Sequence, residues 1–306
     1  MRKCLLFLSF LLASFTGWGF EVNGIYYRFA DTWGVSHEVE VSHDGDVGLS
    51  SNKYRYTGSV VIPESIVISG ETYRVVAIGE WAFDGCTELT SVTIPSSVTI
   101  IKKWAFKDCT GLKSVKLPDG LKEIQYGAFE KSGLESVDIP NSVTLIEGSF
   151  EFCQNLSTVS IGKNVKEISS NAFAMCKNIQ QVKFTSIEHA CSIKYSNQCN
   201  PAENSDYAVS LYINDEQVRD LVIPDGVRSI GDYSFCNFNL SSVTISNNAT
   251  SIGSYAFKNS TMMKVDIPNG VKTIGFAAFQ GCDKLTSVTI PESVISIESN
   301  AFKRCI

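Results

Sequence analysis

The chain has 306 residues, of which 44% are apolar and 19% are charged, and its formal net charge at pH 7 is −6. This apolar content is sufficient for a folded core and excludes an intrinsically disordered chain. The negative charge and the lack of a basic run argue against a partner with a phosphate backbone, so we expect no nucleic-acid partner.

The N-terminus, residues 1–19, has the pattern of a secretory signal peptide. Arg2 and Lys3 precede an apolar run from Leu5 to Phe15, and small residues follow it. This apolar run of 11 residues is too short to cross a bilayer as a helix, so it predicts export without a membrane span. We therefore expect a protein of the cell surface, the periplasm or the extracellular space.

Residues 20–75 depart from the pattern of the later chain and predict an N-terminal β cap that includes the first regular strand. Residues 24–29 and 37–41 predict two strands, and the Asp-Gly step at 44–45 predicts a tight turn after them. Calcium binding by Asp44 and Asp46 is disfavoured, because the other ligands of a recognised calcium loop are missing. The sequence Val60–Pro63 predicts the first strand of the regular type.

A recurring sequence motif in residues 76–306 predicts a β-rich leucine-rich-repeat-like solenoid of about nine repeats of 22–23 residues. A phenylalanine preceded by Ala or Ser recurs at Phe83, Phe106, Phe129, Phe150, Phe173, Phe235, Phe257, Phe279 and Phe302. Such a period indicates supersecondary units whose cores are completed by their neighbours. In each repeat, the Val-x-Ile segment predicts a strand, which a proline usually ends. A second pair of apolar residues follows, and the Ala-Phe step is then predicted to lie on a turn or short helix.

The gap between Phe173 and Phe235 is 62 residues long and predicts an insert at 185–220 within one continuous solenoid. Residues 187–195 predict a short helix before the break at 200–201. Residues 208–213 and 218–223 flank Asn214-Asp215 and predict a hairpin. Cys191 and Cys199 also lie in this insert. In an exported protein, a disulfide between them and two separate thiols are equally open alternatives.

Six other cysteines share one repeat position, the third after the phenylalanine: Cys86, Cys109, Cys153, Cys176, Cys282 and Cys305. Ser132, Phe238 and Ser260 take this position elsewhere, which predicts a buried ladder of small or apolar side chains. The chain has no close Cys-x-x-Cys pair and only 3 histidines, so we expect no metal site and no cofactor. His189 beside Cys191 is a weak basis for catalysis because no orienting group or oxyanion site accompanies it, and we expect no enzyme.

The repeat Ile-Pro-x-x-Val-x-x-Ile-x-x-x-Ala-Phe-x-x-Cys resembles that of BspA-like leucine-rich-repeat surface proteins, especially those of Bacteroides-type bacteria. The resemblance covers about residues 59–306 and is best at 89–106 and 285–302. It implies a leucine-rich-repeat solenoid, export, and adhesion to host or microbial surface and matrix proteins. It transfers no binding residue, because the shared motif consists of core positions.

Two sets of residues are candidates for binding. Four repeats have an aromatic residue two positions before the phenylalanine: Trp81, Trp104, Tyr233 and Tyr255. These side chains either form an exposed ridge that binds sugar rings or protein partners, or pack along the outer turn. Polar positions of the strands predict vertical rows that form either a binding platform or a solvated face. The charged members of these rows are Lys116, Asp138, Lys183 and Asp266.

These observations predict an exported, non-enzymatic binding or adhesion protein with protein partners. One alternative is a glycan-binding protein of the bacterial envelope. Another is a structural protein that associates with itself through the unpaired C-terminal edge of its sheets.

Overall fold

The computed structural model describes residues 19–31, 34–43, 56–169, 171–196, 200–203 and 205–305. Nearly all of the predicted signal peptide, the turn at 44–45 and Cys199 lie outside these residues. None of the helices found within them has the length and apolar character needed to cross a membrane. Backbone contacts divide the chain into two compact units, residues 1–135 with 148–153, and residues 136–147 with 154–306.

The first unit contains two sheets, a mixed one with the order β1-β2-β3-β6-β8-β10 and a parallel one with the order β4-β7-β9. The strands are β1 (Phe20–Val22), β2 (Ile25–Phe29), β3 (Glu38–Val41), β4 (Gly58–Val61), β5 (Ser65–Ile68), β6 (Glu71–Ile78), β7 (Leu89–Thr93), β8 (Ile100–Ile101), β9 (Ser114–Lys116) and β10 (Glu123–Ile124). Strands β1, β2 and β3 are antiparallel, and β3 then pairs in parallel with β6. The cap strands therefore extend the same sheet as the repeat strands β8 and β10.

The described residues of the second unit form four sheets, in which every pair of strands except β17 and β18 is parallel. Their orders are β11-β13-β15-β17-β18, β12-β14-β16, β19-β21-β23-β25 and β20-β22-β24-β26. The elements are β11 (Ser136–Asp138), β12 (Leu145–Glu147), β13 (Thr158–Ser160), β14 (Glu167–Ser169), β15 (Gln181–Phe184), α1 (Ile187–Ser192), β16 (Lys194–Tyr195), β17 (Ser210–Ile213), β18 (Glu216–Val218), β19 (Asp220–Ile223), β20 (Ser229–Ile230), β21 (Ser242–Ile245), β22 (Ser251–Ile252), β23 (Lys264–Asp266), β24 (Thr273–Ile274), β25 (Ser287–Thr289) and β26 (Ser296–Ile297).

The chain is a β-solenoid of about nine turns with almost no helix, as its repeats predict. Equivalent residues of successive repeats pair in register, for example Val137 with Val159 and Val159 with Val182. The repeated phenylalanines are buried and stack almost in parallel, with ring centroids 5.1 Å apart for Phe106 and Phe129. Neighbouring repeats thus complete one another's apolar core, which is the largest favourable contribution to folding.

The Ala-Phe step lies on a turn whose backbone is left-handed at two positions in every repeat. These are the second residue before and the second residue after the phenylalanine, as at Trp81 (φ 60°) and Gly85 (φ 70°). This backbone directs three N–H groups towards the next repeat. The N–H groups of Trp81, Phe83 and Gly85 donate to carbonyl oxygens 3.2, 2.7 and 2.8 Å away. The hydrogen bonds offset the strain of left-handed residues that are not glycine.

Most predicted elements of the cap and the insert are confirmed. Strands β2 and β3 match the predicted segments, whereas β4 begins two residues before the predicted Val60–Pro63 and ends at Val61, and the β5–β6 hairpin was not predicted. The helix α1 is confirmed, although it ends at Ser192 because Ile193 is already extended. Asn214 and Asp215 form the predicted hairpin turn, with φ of 50° and 66°, as a two-residue turn of this type requires.

The segment 218–223 differs from its prediction as a single strand. Val218 ends β18, whereas β19 pairs in parallel with β21 and begins a separate sheet. The proposed boundaries of the cap, the solenoid and the insert stay predictions.

Candidate functional site

Trp81 and Trp104 form a half-buried aromatic stack in the first unit. Their ring centroids are 4.4 Å apart at an interplanar angle of 19°, so each ring covers a face of the other. Tyr126 lies edge-on to Trp104 at 6.0 Å and 85°, and 37% of its surface is exposed. Gly127 makes this packing feasible, because a Cβ there would lie 2.4 Å from Cδ1 of Trp104. The structure therefore places the two tryptophans together in packing along the outer turn.

Charged side chains accompany this stack in successive repeats. Burial raises the pKa of Asp84 to about 6, with Lys107 opposing the shift and the charges of Asp108 and Glu130 adding to it. The ammonium group of Lys107 lies 5.6 Å from the ring centroid of Trp81.

The negative charge continues at Glu151, one repeat beyond Glu130. Burial and then the charge of Glu130 raise the pKa of the Glu151 carboxyl group. The charge of Glu151 in turn raises the pKa of Tyr126. Lys131 opposes the shift at Glu151, so this part of the surface combines aromatic rings, carboxylates and lysines.

Tyr233 and Tyr255 form a second stack, with centroids 4.7 Å apart at 15°. Phe276 lies edge-on to Tyr255 at 5.3 Å and 69°. Lys258 lies 5.3 Å from the ring centroid of Tyr255 and 2.9 Å from Oε1 of Glu203. All four predicted aromatic candidates are therefore half-buried members of stacked pairs.

Residues 200–203 of the insert are held against the repeat that contains Phe235. The side-chain amide of Asn200, which is fully buried, donates to the Tyr233 carbonyl oxygen at 2.7 Å. The amide of Asn237 donates to the Ala202 carbonyl oxygen at 2.7 Å. These contacts place Glu203 beside Lys258, a pairing that sequence spacing does not suggest.

The charged residues of the strand rows differ in their surroundings. Lys183 pairs with Asp215 of the hairpin turn at 2.9 Å and lies 5.8 Å from the Tyr212 ring, so an internal partner already binds it. Lys264 and Asp266 of β23 form an exposed ion pair at 2.8 Å. Lys116 and Asp138 are exposed on β9 and β11. A role in binding stays a prediction for all of them.

Cys191 and His189 of α1 have separate surroundings. Burial raises the pKa of the Cys191 thiol to about 12. Nε2 of His189 lies 2.8 Å from the Val165 carbonyl oxygen and donates to it. Because Cys199 lies outside the described residues, its disulfide with Cys191 stays a prediction. Within the described ranges, no group of three His, Cys, Asp or Glu side chains is placed to hold a metal ion.

Where the third residue after the phenylalanine is cysteine or serine, its side chain can donate a hydrogen bond to the preceding repeat. The Cys109 thiol donates to the Phe83 carbonyl oxygen at 3.0 Å, and the Cys282 thiol donates to the Phe257 carbonyl oxygen at 3.1 Å. At the same position, the Ser260 hydroxyl donates to the Phe235 carbonyl oxygen. This bond explains why serine replaces cysteine here. The predicted buried ladder is confirmed, except that Cys305 is only half-buried.

We expect Cys282→Ser to retain this bond and to cost less than about 1 kcal/mol, whereas Cys282→Ala should cost about 1–2 kcal/mol. Alanine removes the donor and leaves a small cavity in a fully buried position. Urea unfolding followed by circular dichroism measures both variants against wild type. Greater stability of the alanine variant than of the serine variant would show that the donor is unimportant.

A family model described as "BspA type Leucine rich repeat region" matches residues 76–200 and 209–306, with six copies. These ranges cover well over half of the chain. The chain belongs to the BspA-type leucine-rich-repeat family. The family assignment agrees with the in-register repeats of the fold, and the resemblance noted in the sequence is confirmed.

Several solved structures resemble this BspA-type protein. A leucine-rich cell surface protein of Faecalibacterium prausnitzii A2-165 is 22% identical, with a TM-score of 0.46, over 93% of this chain and 86% of that one. The pneumococcal vaccine antigen PcpA is 20% identical, with a TM-score of 0.49, over 93% and 86%. The TpLRR protein of T. pallidum is 23% identical, with a TM-score of 0.46, over 88% and 91%. No curated protein matches the sequence.

Proposed function

We propose that this BspA-type protein is exported and non-enzymatic, and that it binds surface or matrix proteins of a host or of other microbes through exposed rows of its repeat strands. Membership of a family of leucine-rich-repeat surface proteins supports a binding or structural role. The N-terminal pattern of Arg2, Lys3 and the apolar run supports export.

The observation that carries this proposal is the in-register sheet β19-β21-β23-β25 with its mostly polar and exposed outer side chains. Two rows run across it, Asp220, Ser242, Lys264 and Ser287 in one, and Val222, Thr244, Asp266 and Thr289 in the other. Alternate residues such as Leu221 and Val243 are buried in the core. Pairing to neighbouring strands fixes the exposed side chains at spacings of about 4.8 Å. A rigid surface loses little conformational entropy on binding, which favours affinity.

Glycan binding is the weaker candidate for the same protein. Stacking of a sugar ring needs an open aromatic face. Trp81 and Trp104 cover a face of each other, and so do Tyr233 and Tyr255. Self-association through the C-terminal edge stays a separate prediction, and Ile295 and Ile297 are 80% and 49% exposed in that region.

The test is binding of residues 20–306 to an array of purified matrix proteins, microbial surface proteins and glycans. The double variant Thr244→Arg/Thr289→Arg places two large cations on the proposed surface. The matched control, Thr273→Arg/Ser296→Arg, adds the same charge at exposed positions of the sheet that contains β24 and β26.

We expect at least one protein to bind, with affinity at least about tenfold weaker for the first variant and unchanged for the control. Equal binding by both variants would move the site away from this sheet. Binding to glycans alone, lost in Trp81→Ala/Trp104→Ala, would replace the proposal with the glycan-binding alternative.

A further inference from the structure

The six cysteines at the third position after the repeat phenylalanine come in pairs from consecutive repeats. The pairs are Cys86 with Cys109, Cys153 with Cys176, and Cys282 with Cys305. A need for a hydrogen-bond donor does not explain this pairing, because the Ser260 hydroxyl donates at the same position. Two cysteines differ from two serines in that they can form a covalent bond with each other. The pairing therefore points to a property that serine lacks.

Cys282 and Cys305 lie against the same carbonyl group. The backbone N–H of Cys282 and the thiol of Cys305 both donate to the Phe279 carbonyl oxygen, each over 3.2 Å. Beside them, the Gly281 N–H donates to the Lys303 carbonyl oxygen at 2.9 Å, so the two repeats are in register here. Backbones joined in this way lie about 4.8 Å apart, within the range of about 4.4–6.8 Å between Cα atoms that a disulfide spans.

Side chains at this position also contact each other from one repeat to the next. In the first unit, the Ser132 N–H and the Cys153 thiol share the Phe129 carbonyl oxygen in the same way, each over 3.0 Å. Oγ of Ser132 lies 3.4 Å from Sγ of Cys153. The same arrangement brings the sulfur atoms of Cys282 and Cys305 close together. A disulfide of about 2.0 Å between them needs rotation of the side chains and no shift of the backbone.

A disulfide between these residues leaves no buried carbonyl group without a donor. The Cys282 thiol donates to the Phe257 carbonyl oxygen at 3.1 Å, but the Ser260 N–H donates to the same oxygen at 3.0 Å. The Phe279 carbonyl oxygen likewise keeps the N–H of Cys282 when the Cys305 thiol is lost. The loss of both S–H donors therefore costs little, because the main penalty of a broken hydrogen bond is a buried group left unsatisfied.

We propose that Cys282 and Cys305 form a disulfide that joins two consecutive repeats when the folded protein meets an oxidising disulfide. Cys305 is half-buried and Cys282 is fully buried, so a reagent from solvent reaches Cys305 first. Cys86 and Cys109 are both fully buried, so the folded chain should not form the equivalent bond between them. Only the supply of the oxidant rests on the proposed export of the chain.

The reaction is a thiol–disulfide exchange in two steps, here with oxidised glutathione as the reagent. The Cys305 thiolate attacks one glutathione sulfur, which gives a mixed disulfide and releases one reduced glutathione. The Cys282 thiolate then attacks Sγ of Cys305, forms the bond between the repeats and releases the second glutathione. The two cysteines lose two protons and two electrons, which convert one oxidised glutathione into two reduced ones. Because burial raises the pKa of both thiols, the bond should form faster at about pH 9 than at about pH 7.

The test treats folded residues 20–306 with oxidised glutathione, alkylates the remaining thiols and maps the tryptic peptides by mass spectrometry. Trypsin places Cys282 in peptide 273–284. We expect this peptide to be recovered linked to residues 305–306, and the link to be lost on reduction. Glutathione that stays on Cys305 without a link to Cys282, or no reaction at all, would overturn the proposal.

Linkage of Cys86 to Cys109 is the internal comparison, because this pair has the same repeat position without the exposure of Cys305. We expect it to be at least about tenfold less abundant in the folded protein. Equal linkage of both pairs would mean that the half-buried thiol does not direct the reaction, and this result too would overturn the proposal.

Cys305→Ser is the matched variant, because serine keeps a donor for the Phe279 carbonyl oxygen but cannot form a disulfide. After treatment with oxidised glutathione, amide hydrogen exchange in β25 and β26 should slow at least about tenfold in wild type and stay unchanged in Cys305→Ser. Equal slowing in the variant would show that the effect does not come from a bond between the repeats.

The outcomes for this bond and for the proposed function are distinguishable. If glutathione yields no bond between Cys282 and Cys305 while proteins of the array bind, the bond is overturned and the proposed function stands. If the bond forms while no protein of the array binds, the bond stands and the proposed function loses its support.

Discussion

Phe106→Ala should lower the free energy of unfolding by about 3–5 kcal/mol, the range for truncating a buried phenylalanine. The Phe106 ring is fully buried and lies between the rings of Phe83 and Phe129, at 4.9 and 5.1 Å. Alanine leaves a cavity that both neighbouring repeats line. Because each repeat contacts only its neighbours, the loss should be local as well as global. Urea unfolding measures the first effect, and amide hydrogen exchange in the adjacent repeats measures the second.

Phe302→Ala is the matched comparison, since Phe302 has the same repeat position but is only half-buried. In the described chain its ring stacks on that of Phe279 alone, at 5.2 Å. We expect a cost of about 1–2 kcal/mol, because less apolar surface returns to water. Equal costs for Phe106→Ala and Phe302→Ala would contradict the view that stacking on two sides sets the stability of a repeat.

Glu40→Ala should cost about 2–3 kcal/mol, because it removes the shared partner of two cations. The Glu40 side chain is 3% exposed and pairs with Arg28 and with Lys102. Arg28 belongs to the cap strand β2, whereas Lys102 follows the repeat strand β8, so Glu40 connects the cap to the first repeats. Both cations are about one-third exposed, and water can partly replace their partner. The cost is therefore below that of a fully buried pair.

The control for Glu40 is Glu38→Ala, on the same strand β3 at a half-buried position. We expect this change to cost less than about 0.5 kcal/mol, the usual limit for positions without such partners. Thermal unfolding of both variants, with hydrogen exchange in β1–β3, measures the difference. A change at Glu38 as costly as that at Glu40 would mean that the strand, and not the ion pairs, stabilises the cap.

The period of the repeat made the fold predictable, but not the backbone of its turns. The position of Trp81 is taken in other repeats by Gly127, Gly148, Asn171 and Asn300. The structure shows the physical reason, which is a left-handed backbone at this position in every repeat. Glycine and asparagine adopt it most readily, so their recurrence was the available signal. The missed β5–β6 hairpin had a similar signal in Ser69-Gly70, where both residues have positive φ.

The candidate sites were less predictable, because their partners come from different turns of the solenoid. Lys258 pairs with Glu203, 55 positions away, and only the docking of the insert brings them together. Lys183 was identified as a row residue, but its pairing with Asp215 depends on the direction of the hairpin. Tyr126 was overlooked because it lies one position before the repeat position of Trp81 and Trp104. An aromatic residue that occurs there in a single repeat forms no pattern from which its contacts could be predicted.

The hydrogen-bonded cysteine ladder has a consequence for the redox chemistry of the protein. Burial raises the pKa of the Cys109 and Cys282 thiols, that of Cys282 to about 12, so almost none is present as the reactive thiolate at neutral pH. A folded chain of this kind can remain in an oxidising compartment without forming incorrect cross-links. Such buried thiols are open to external oxidants only during folding, before each turn of the solenoid buries its cysteine. Closure of each repeat over its thiol is therefore the step that protects the thiol from oxidation.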